Sequence, residues 1–171
     1  WILLVSSIIL FLFIKYLWPL LQNKLLKDTL LVPITITFDG TALELTALID
    51  TGNDLFEPIS NYPVIIVELV AMDIFFSKEV KALFEKGLEE NLEDVEELVK
   101  DPKWASRLRI IPFESIGKSK GLMIGFKPDL VRINYENKTF DVKNTIIGVY
   151  QRILSSDGTY RALLNPVLLK E

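Results

Sequence analysis

Two adjoining stretches, Leu30–Phe38 and Thr41–Asp50, alternate between apolar and polar residues, with Asp39-Gly40 between them. Alternation with a period of two predicts half-buried strands, and Asp-Gly is a strong two-residue hairpin turn. The second strand ends in Ala47-Leu48-Ile49, then Asp50-Thr51-Gly52-Asn53. Apolar residues leading into a Gly-containing turn place one carboxylate at the lip of a core. After a Glu57-Pro58 turn, Pro63–Val67 reads as a buried strand. From 73 to 101 the period changes: Phe75, Phe76, Val80, Leu83, Phe84 and Leu88 recur at helical spacing, as do Leu92, Val95, Leu98 and Val99. Asn91 with Asp94 suits a capping box opening the second helix, and Pro102 falls just past its end. Strand patterns return at Leu108–Phe113 and Leu122–Phe126. A hairpin comes next, at Leu130–Tyr135 and Lys138–Val142 around Glu136-Asn137, then a buried strand at Thr145–Tyr150. A turn at Ser155–Thr159 leads into a last apolar stretch, Tyr160–Leu169, broken by Pro166.

The N-terminus obeys neither period. Trp1 to Ile14 carry no charge, Lys15 interrupts, and Tyr16–Leu21 is apolar again. About 20 apolar residues span a membrane, so residues 1–22 are expected to form a transmembrane helix. Tyr16 and Trp18 suit the membrane interface, and Lys15 suits a snorkelling position there. Lys24 and Lys27 favour a cytoplasmic placement of the domain after them. A signal peptide and a buried core helix are the competing readings, and the former lacks a basic start and a small-residue cleavage pattern. Because the chain starts at Trp1 rather than Met, it is expected to carry the last helix of a truncated membrane region. The expected organisation is this helix, a linker at 23–29, and one domain at 30–171 with a helical insertion at about 73–101.

Composition removes many chemistries. Among the 171 residues there is no Cys and no His. Ser-His-Asp and Cys-His catalysis, Cys/His zinc sites and disulfides are therefore excluded within the chain. The net charge of −4 argues against nucleic acid as the main partner. No metal and no cofactor are expected, which leaves carboxylates as the main acid/base groups, with Lys and Tyr behind them. Between Glu85 and Asp101 stand eight acids against two lysines. Such a run reads as a solvated helical face, with a docking surface for a basic partner as the alternative.

Asp50 is the candidate catalytic group. It sits at the end of a rigid strand, Thr51 adds a hydroxyl beside it, and Gly52 allows close backbone approach. An acid placed this way suits general acid/base work on water. Gly117-Lys118-Ser119 superficially suggests a phosphate-binding loop. That motif needs a Gly where Pro112 stands, so it is rejected. Gly117-Lys118-Ser119-Lys120-Gly121 reads instead as the tip of a mobile hairpin such as a lid, an ordinary surface hairpin being equally allowed.

The order of these features resembles the half-size aspartic peptidases of retroviruses. In that resemblance Asp50-Thr51-Gly52 is the active-site loop, Gly117–Gly121 the flap, and Ile146-Ile147-Gly148 the strand supporting the loop. Asp50-Thr51-Gly52-Asn53, the preceding apolar helix and Ile111–Lys127 are more similar still to the sporulation sigma-E factor-processing peptidases. The resemblance covers essentially the whole chain. It implies a mostly β, retropepsin-like half-barrel and an aspartic endopeptidase in the cell membrane with its peptidase domain in the cytoplasm. The implied substrate is the pro-sigma-E factor, and an implied further partner is a secreted signalling protein acting through the membrane part. The mechanism needs two carboxylates sharing a proton. No second Asp-Thr-Gly or Asp-Ser-Gly exists, since Asp39-Gly40-Thr41 and Asp157-Gly158-Thr159 have the wrong order. Under this reading the active form is a homodimer. The family carries several membrane helices and this chain at most one. Asn53 departs from the retroviral pattern but fits the sporulation family, and the inserted acidic helices are a second departure. A peptidase-like binding module without proteolysis and a membrane scaffold recruiting through its acidic helices are the alternative functions.

Overall fold

The computed structural model describes residues 1–18, 30–86, 102–115 and 118–170. The chain divides into two compact units, Trp1–Leu31 and Val32–Glu171. In the first, an α-helix over Ile2–Leu12 continues into a π-helical turn over Phe13–Leu17. Its sequence is mostly apolar, and Ile2, Ile9, Phe11, Ile14 and Trp18 are exposed. The Lys15 ammonium lies over the Phe11 and Tyr16 rings, 5.8 and 5.3 Å from their centroids. Among the described residues no helix is long and apolar enough to cross a membrane, and positions 19–22 of the expected span lie outside them.

The second unit is mostly β. Nine strands form one sheet in the order β4-β5-β8-β3-β9-β2-β1-β6-β7. They are β1 Leu31–Phe38, β2 Thr41–Ile49, β3 Val64–Glu68, β4 Leu108–Ser115, β5 Lys118–Phe126, β6 Leu130–Tyr135, β7 Lys138–Val142, β8 Ile146–Tyr150 and β9 Ala162–Leu164. The predicted hairpin turns are present. Asp39 and Gly40 have φ of 52° and 75°, and Glu136 and Asn137 have 48° and 62°. Positive φ at both central residues gives the twist that two-residue hairpins need.

The decisive element is the shortest strand. β9 enters from the C-terminus between β2 and β3, parallel to β2 and antiparallel to β3. Ala162 and Leu164 are fully buried there. Asn165 and Pro166 then end the strand and start a 3₁₀ turn over Pro166–Leu169, with Pro at a position where its missing N–H is harmless.

The helical insertion begins differently from the predicted continuous helix. A 3₁₀ helix covers Leu69–Phe75, Phe76 is extended, and a new α-helix covers Lys78–Lys86. Ser77 makes the break, because its Oγ accepts from Val80 N at 3.4 Å and offers the new helix an N-cap. Pro102 opens a short helix, Pro102–Ala105. The predicted helix and capping box at 91–101 lie outside the described residues. The insertion seats its rings on the sheet: Phe75, Phe76 and Trp104 close around Phe38 and Phe126, and Phe84 packs behind them against Phe76 and Trp104. Phe38–Phe126 and Phe76–Phe84 ring centroids are each 4.8 Å apart. Lys103 Nζ reaches Asp39 Oδ2 at 2.5 Å, and Arg107 reaches Asp129 at 2.6 Å. These pairs pin the C-terminal end of the insertion beside the β1–β2 turn.

Candidate active site

β2 carries Asp50 out of the core. Ala47 and Ile49 are buried, Asp50 is half-buried, and Thr51 and Gly52 are exposed. The backbone of the loop is held where it leaves the sheet. Asp50 N donates to Leu164 O of β9 at 3.0 Å, and Asn53 N donates to Asp50 O at 3.0 Å. Gly52 N donates to Asp50 Oδ1 at 2.9 Å, so one carboxylate oxygen is fixed by the loop's own backbone. A Cβ at Gly52 would sit 3.3 Å from that oxygen, which is the close approach that favours glycine here.

Asn53 is the loop's inner anchor and is only 5% exposed. Its Nδ2 donates to Val64 O of β3 at 3.0 Å and to Leu163 O of β9 at 3.4 Å. Its Oδ1 accepts from Leu55 N at 3.2 Å. A buried amide needs such partners, and a small apolar residue could not supply them. The polar residue after the Gly therefore ties the turn to both neighbouring strands.

The chain beyond the loop is equally constrained. Val64 N donates to Leu55 O at 3.0 Å, and Glu57 N donates to Tyr62 O at 2.9 Å. The buried Glu57 carboxylate accepts from Ile59 N at 3.1 Å and from Ser60 N at 2.7 Å, and also from Ser60 Oγ. Burial pushes this carboxyl up, but the Ser60 hydroxyl, the two N–H groups and nearby Arg109 outweigh it and hold it below the usual glutamate range.

The expected flap and support are placed less simply. Ser115 pairs with Lys118, so Lys118, Ser119 and Lys120 belong to the backbone of β5 rather than to a five-residue tip. Only 116–117, which include Gly117, fall between the strands, and they lie outside the described residues. Gly121 pairs with Phe113, whose ring occupies the space a side chain would need; a Cβ there would lie 2.5 Å from Cζ. Ile146, Ile147 and Gly148 lie in β8, paired with β3 and β5 rather than with the Asp50 loop. Their support reaches the loop at one remove, since Ile146 pairs with Val64, whose carbonyl holds Asn53. The two regions meet in one small core. Val64, Ile111, Met123 and Ile146 form it, with Leu55, Tyr62 and Phe113 of the hairpin packed against it.

The partner of Asp50 N on the neighbouring strand is not evident from sequence. It is Leu164 O, on a strand hidden in an apolar stretch that Pro166 interrupts. Asn165, next to it, is also engaged: Nδ2 donates to Leu55 O at 3.2 Å and Oδ1 accepts from Val167 N at 3.1 Å. The Asn-Pro pair was the available signal, but it reads only as an end of structure. A pocket of about 270 Å³ lies elsewhere, between residues 43–46 of β2 and the turn at Gly158–Arg161, and contains none of the predicted site residues.

Comparison with known proteins gives these residues a family. The chain is 29% identical over 143 residues to the sporulation sigma-E factor-processing peptidase of Priestia megaterium, covering 81% of this chain and 44% of that protein. It is 25% identical over 138 residues to the sporulation sigma-E factor-processing peptidase of Bacillus subtilis, with the same two coverages, 81% and 44%. The chain thus spans less than half the length of these two relatives. No solved structure matches it. The profile of the family described as Sporulation factor SpoIIGA matches residues 1–168. The chain belongs to the Sporulation factor SpoIIGA family.

Proposed function

We propose that this chain is a membrane-anchored aspartic endopeptidase that works as a homodimer and removes the pro-sequence of the sporulation sigma-E factor. The observation that carries the reading is the setting of Asp50: a half-buried carboxylate on a turn whose backbone is tied to β9 and, through Asn53, to β3. A general acid/base must be held at a fixed place before substrate arrives. The retropepsin-like reading of the fold and the assignment of Thr51, Gly52 and Asn53 to the active-site loop belong to the same proposal. So do the β4–β5 hairpin as flap and β8 as support.

Each copy supplies one Asp50, and the two carboxyls share one proton. The ionised one takes a proton from water as its oxygen bonds to the peptide carbonyl carbon. The protonated one gives its proton to the carbonyl oxygen. Collapse of the tetrahedral species breaks the C–N bond: one of its two hydroxyls returns a proton to the carboxylate that protonated the carbonyl oxygen, and the leaving nitrogen takes the proton from the carboxyl that received one from water, which restores the shared proton. Thr51 is exposed on the turn, where a second copy would meet it. The substrate binds extended, pairing its backbone beneath the hairpin.

The substrate assignment comes from the names of the relatives, which state that they process the sigma-E factor. The anchor rests on the exposed apolar helix and the lysines after it, Lys24 and Lys27. A secreted signalling protein acting through the membrane part is carried over from the resemblance. The test is co-expression of the chain with the sigma-E precursor in a host lacking both. The wild type shortens the precursor, and Asp50→Asn and Asp50→Ala leave it intact while remaining folded. Cleavage by either variant overturns the reading. Binding without shortening by the wild type makes the domain a peptidase-like module or scaffold instead.

A further inference from the structure

We propose that Asn165 is a positioning residue for Asp50, an inference that rests on the peptidase reading above. Asn165 is 1% exposed, and both ends of its amide are engaged. Oδ1 accepts from Val167 N at 3.1 Å and caps the last 3₁₀ turn, while Nδ2 crosses to Leu55 O at 3.2 Å. The residue before it, Leu164, offers the carbonyl that Asp50 N donates to, at 3.0 Å. Leu55 N in turn donates to Asn53 Oδ1 at 3.2 Å, and Asn53 N to Asp50 O at 3.0 Å. The bonds form a closed ring: Asp50, Leu164, Asn165, Leu55, Asn53 and back to Asp50. The strand side of the ring is fixed in the core by Leu164, which is fully buried. On the loop side, the Leu55 carbonyl is held by two donors, Val64 N from β3 and the Asn165 amide from the end of β9. Nδ2 therefore sets the distance between the end of β9 and the segment after Asp50-Thr51-Gly52-Asn53. That distance fixes how far the carboxylate stands out from the sheet.

The two ends of the amide can be separated. Asn165→Asp keeps an oxygen for Val167 N and replaces the donor to Leu55 O by an oxygen that repels it. Protonation of that carboxyl restores a donor. Asn165→Ser keeps a capping oxygen, adds no charge, and removes the brace. The full chain, purified in detergent micelles, is assayed for cleavage of the sigma-E precursor across pH, with thermal unfolding measured in parallel and Asp50→Asn as control.

Both variants are expected to fold, to lose about 10- to 100-fold in kcat, and to change KM by less than about threefold, the pattern of a misplaced catalytic group. The carboxyl introduced by Asn165→Asp adds a limb to the pH profile that the wild type lacks, with activity recovering toward acid. Wild-type kcat in folded Asn165→Ser overturns the proposal, as does failure of both variants to fold, which makes Asn165 a folding residue only. If the wild type does not cleave, or Asp50→Asn does, the peptidase reading falls first, and the two failures are told apart by that control.

Discussion

The Asp50 loop and the aromatic core beneath the helical insertion are held by opposite means. Around Asp50 the joints are hydrogen bonds from buried amides, each with a definite length and direction. Around Phe38 and Phe126 they are ring contacts, strong in sum and tolerant in angle. Hydrogen bonds contribute little net stability each but are costly to leave unmade, whereas buried rings contribute most of the burial energy. One region therefore fixes position and the other supplies stability. The largest effect that tests this is Asp50→Asn. Cleavage should fall to background while unfolding shifts by no more than about 0.5 kcal/mol, since the side chain is half-exposed and its bond from Gly52 N can be accepted by the amide oxygen. Denaturant titration beside the co-expression assay measures both.

Next comes the reverse case. Phe126 is fully buried and touches Phe38, Phe75, Phe76 and Trp104. Phe126→Ala should cost about 3–5 kcal/mol through lost burial and the cavity left behind. The fraction that stays folded should cleave at the wild-type kcat. A large kcat loss in that fraction would mean that the aromatic core also sets the site. Asn53→Ala should lie between the two. It removes the donor to Val64 O and leaves Leu55 N without its acceptor, which costs about 1–3 kcal/mol. Cleavage should drop far more than the unfolded fraction accounts for. Equal losses in stability and activity would erase the distinction between the regions.

How much of this was legible depended on the range of the interaction. The β1–β2 hairpin was readable because Asp39-Gly40 and the period-two pattern are local, and the position of Asp50 at its end came with it. The β6–β7 hairpin was readable for the same reason. β9 was not, because a three-residue strand carries no period, and its partners, Ala47–Ile49 and Ile66–Val67, are distant in sequence. The role of Asn165 disappeared with it. Gly117–Gly121 looked like a turn because its composition is that of a turn. The pairing of Gly121 with Phe113 depends on a ring filling the space over a residue without a side chain, which composition does not register. The break at Phe76 was missed because apolar spacing runs through it, while Ser77 as a cap acts through one hydroxyl.

The smallest effect concerns Glu57, which extends the hydrogen-bonded region along the chain and gives it a pH dependence the aromatic core lacks. Its folded carboxyl lies below the ordinary range: burial raises it, and bonds from Ser60 and Ile59 lower it further than burial raises it. A carboxyl depressed on folding adds stability at pH values above its unfolded value of about 4.3. That contribution is lost as pH falls through the folded value, because the protonated acid no longer attracts those donors as strongly. Glu57→Gln should therefore be less stable than the wild type near pH 7, by about 1–3 kcal/mol for hydrogen bonds to a charged group. The gap should close as pH drops from about 4.3 downward. Phe126→Ala, by contrast, should keep a constant deficit over the same range. Urea titrations of the three proteins across pH make the comparison. A Glu57→Gln deficit that ignores pH would show that Glu57 holds the 57–62 turn by shape rather than by charge.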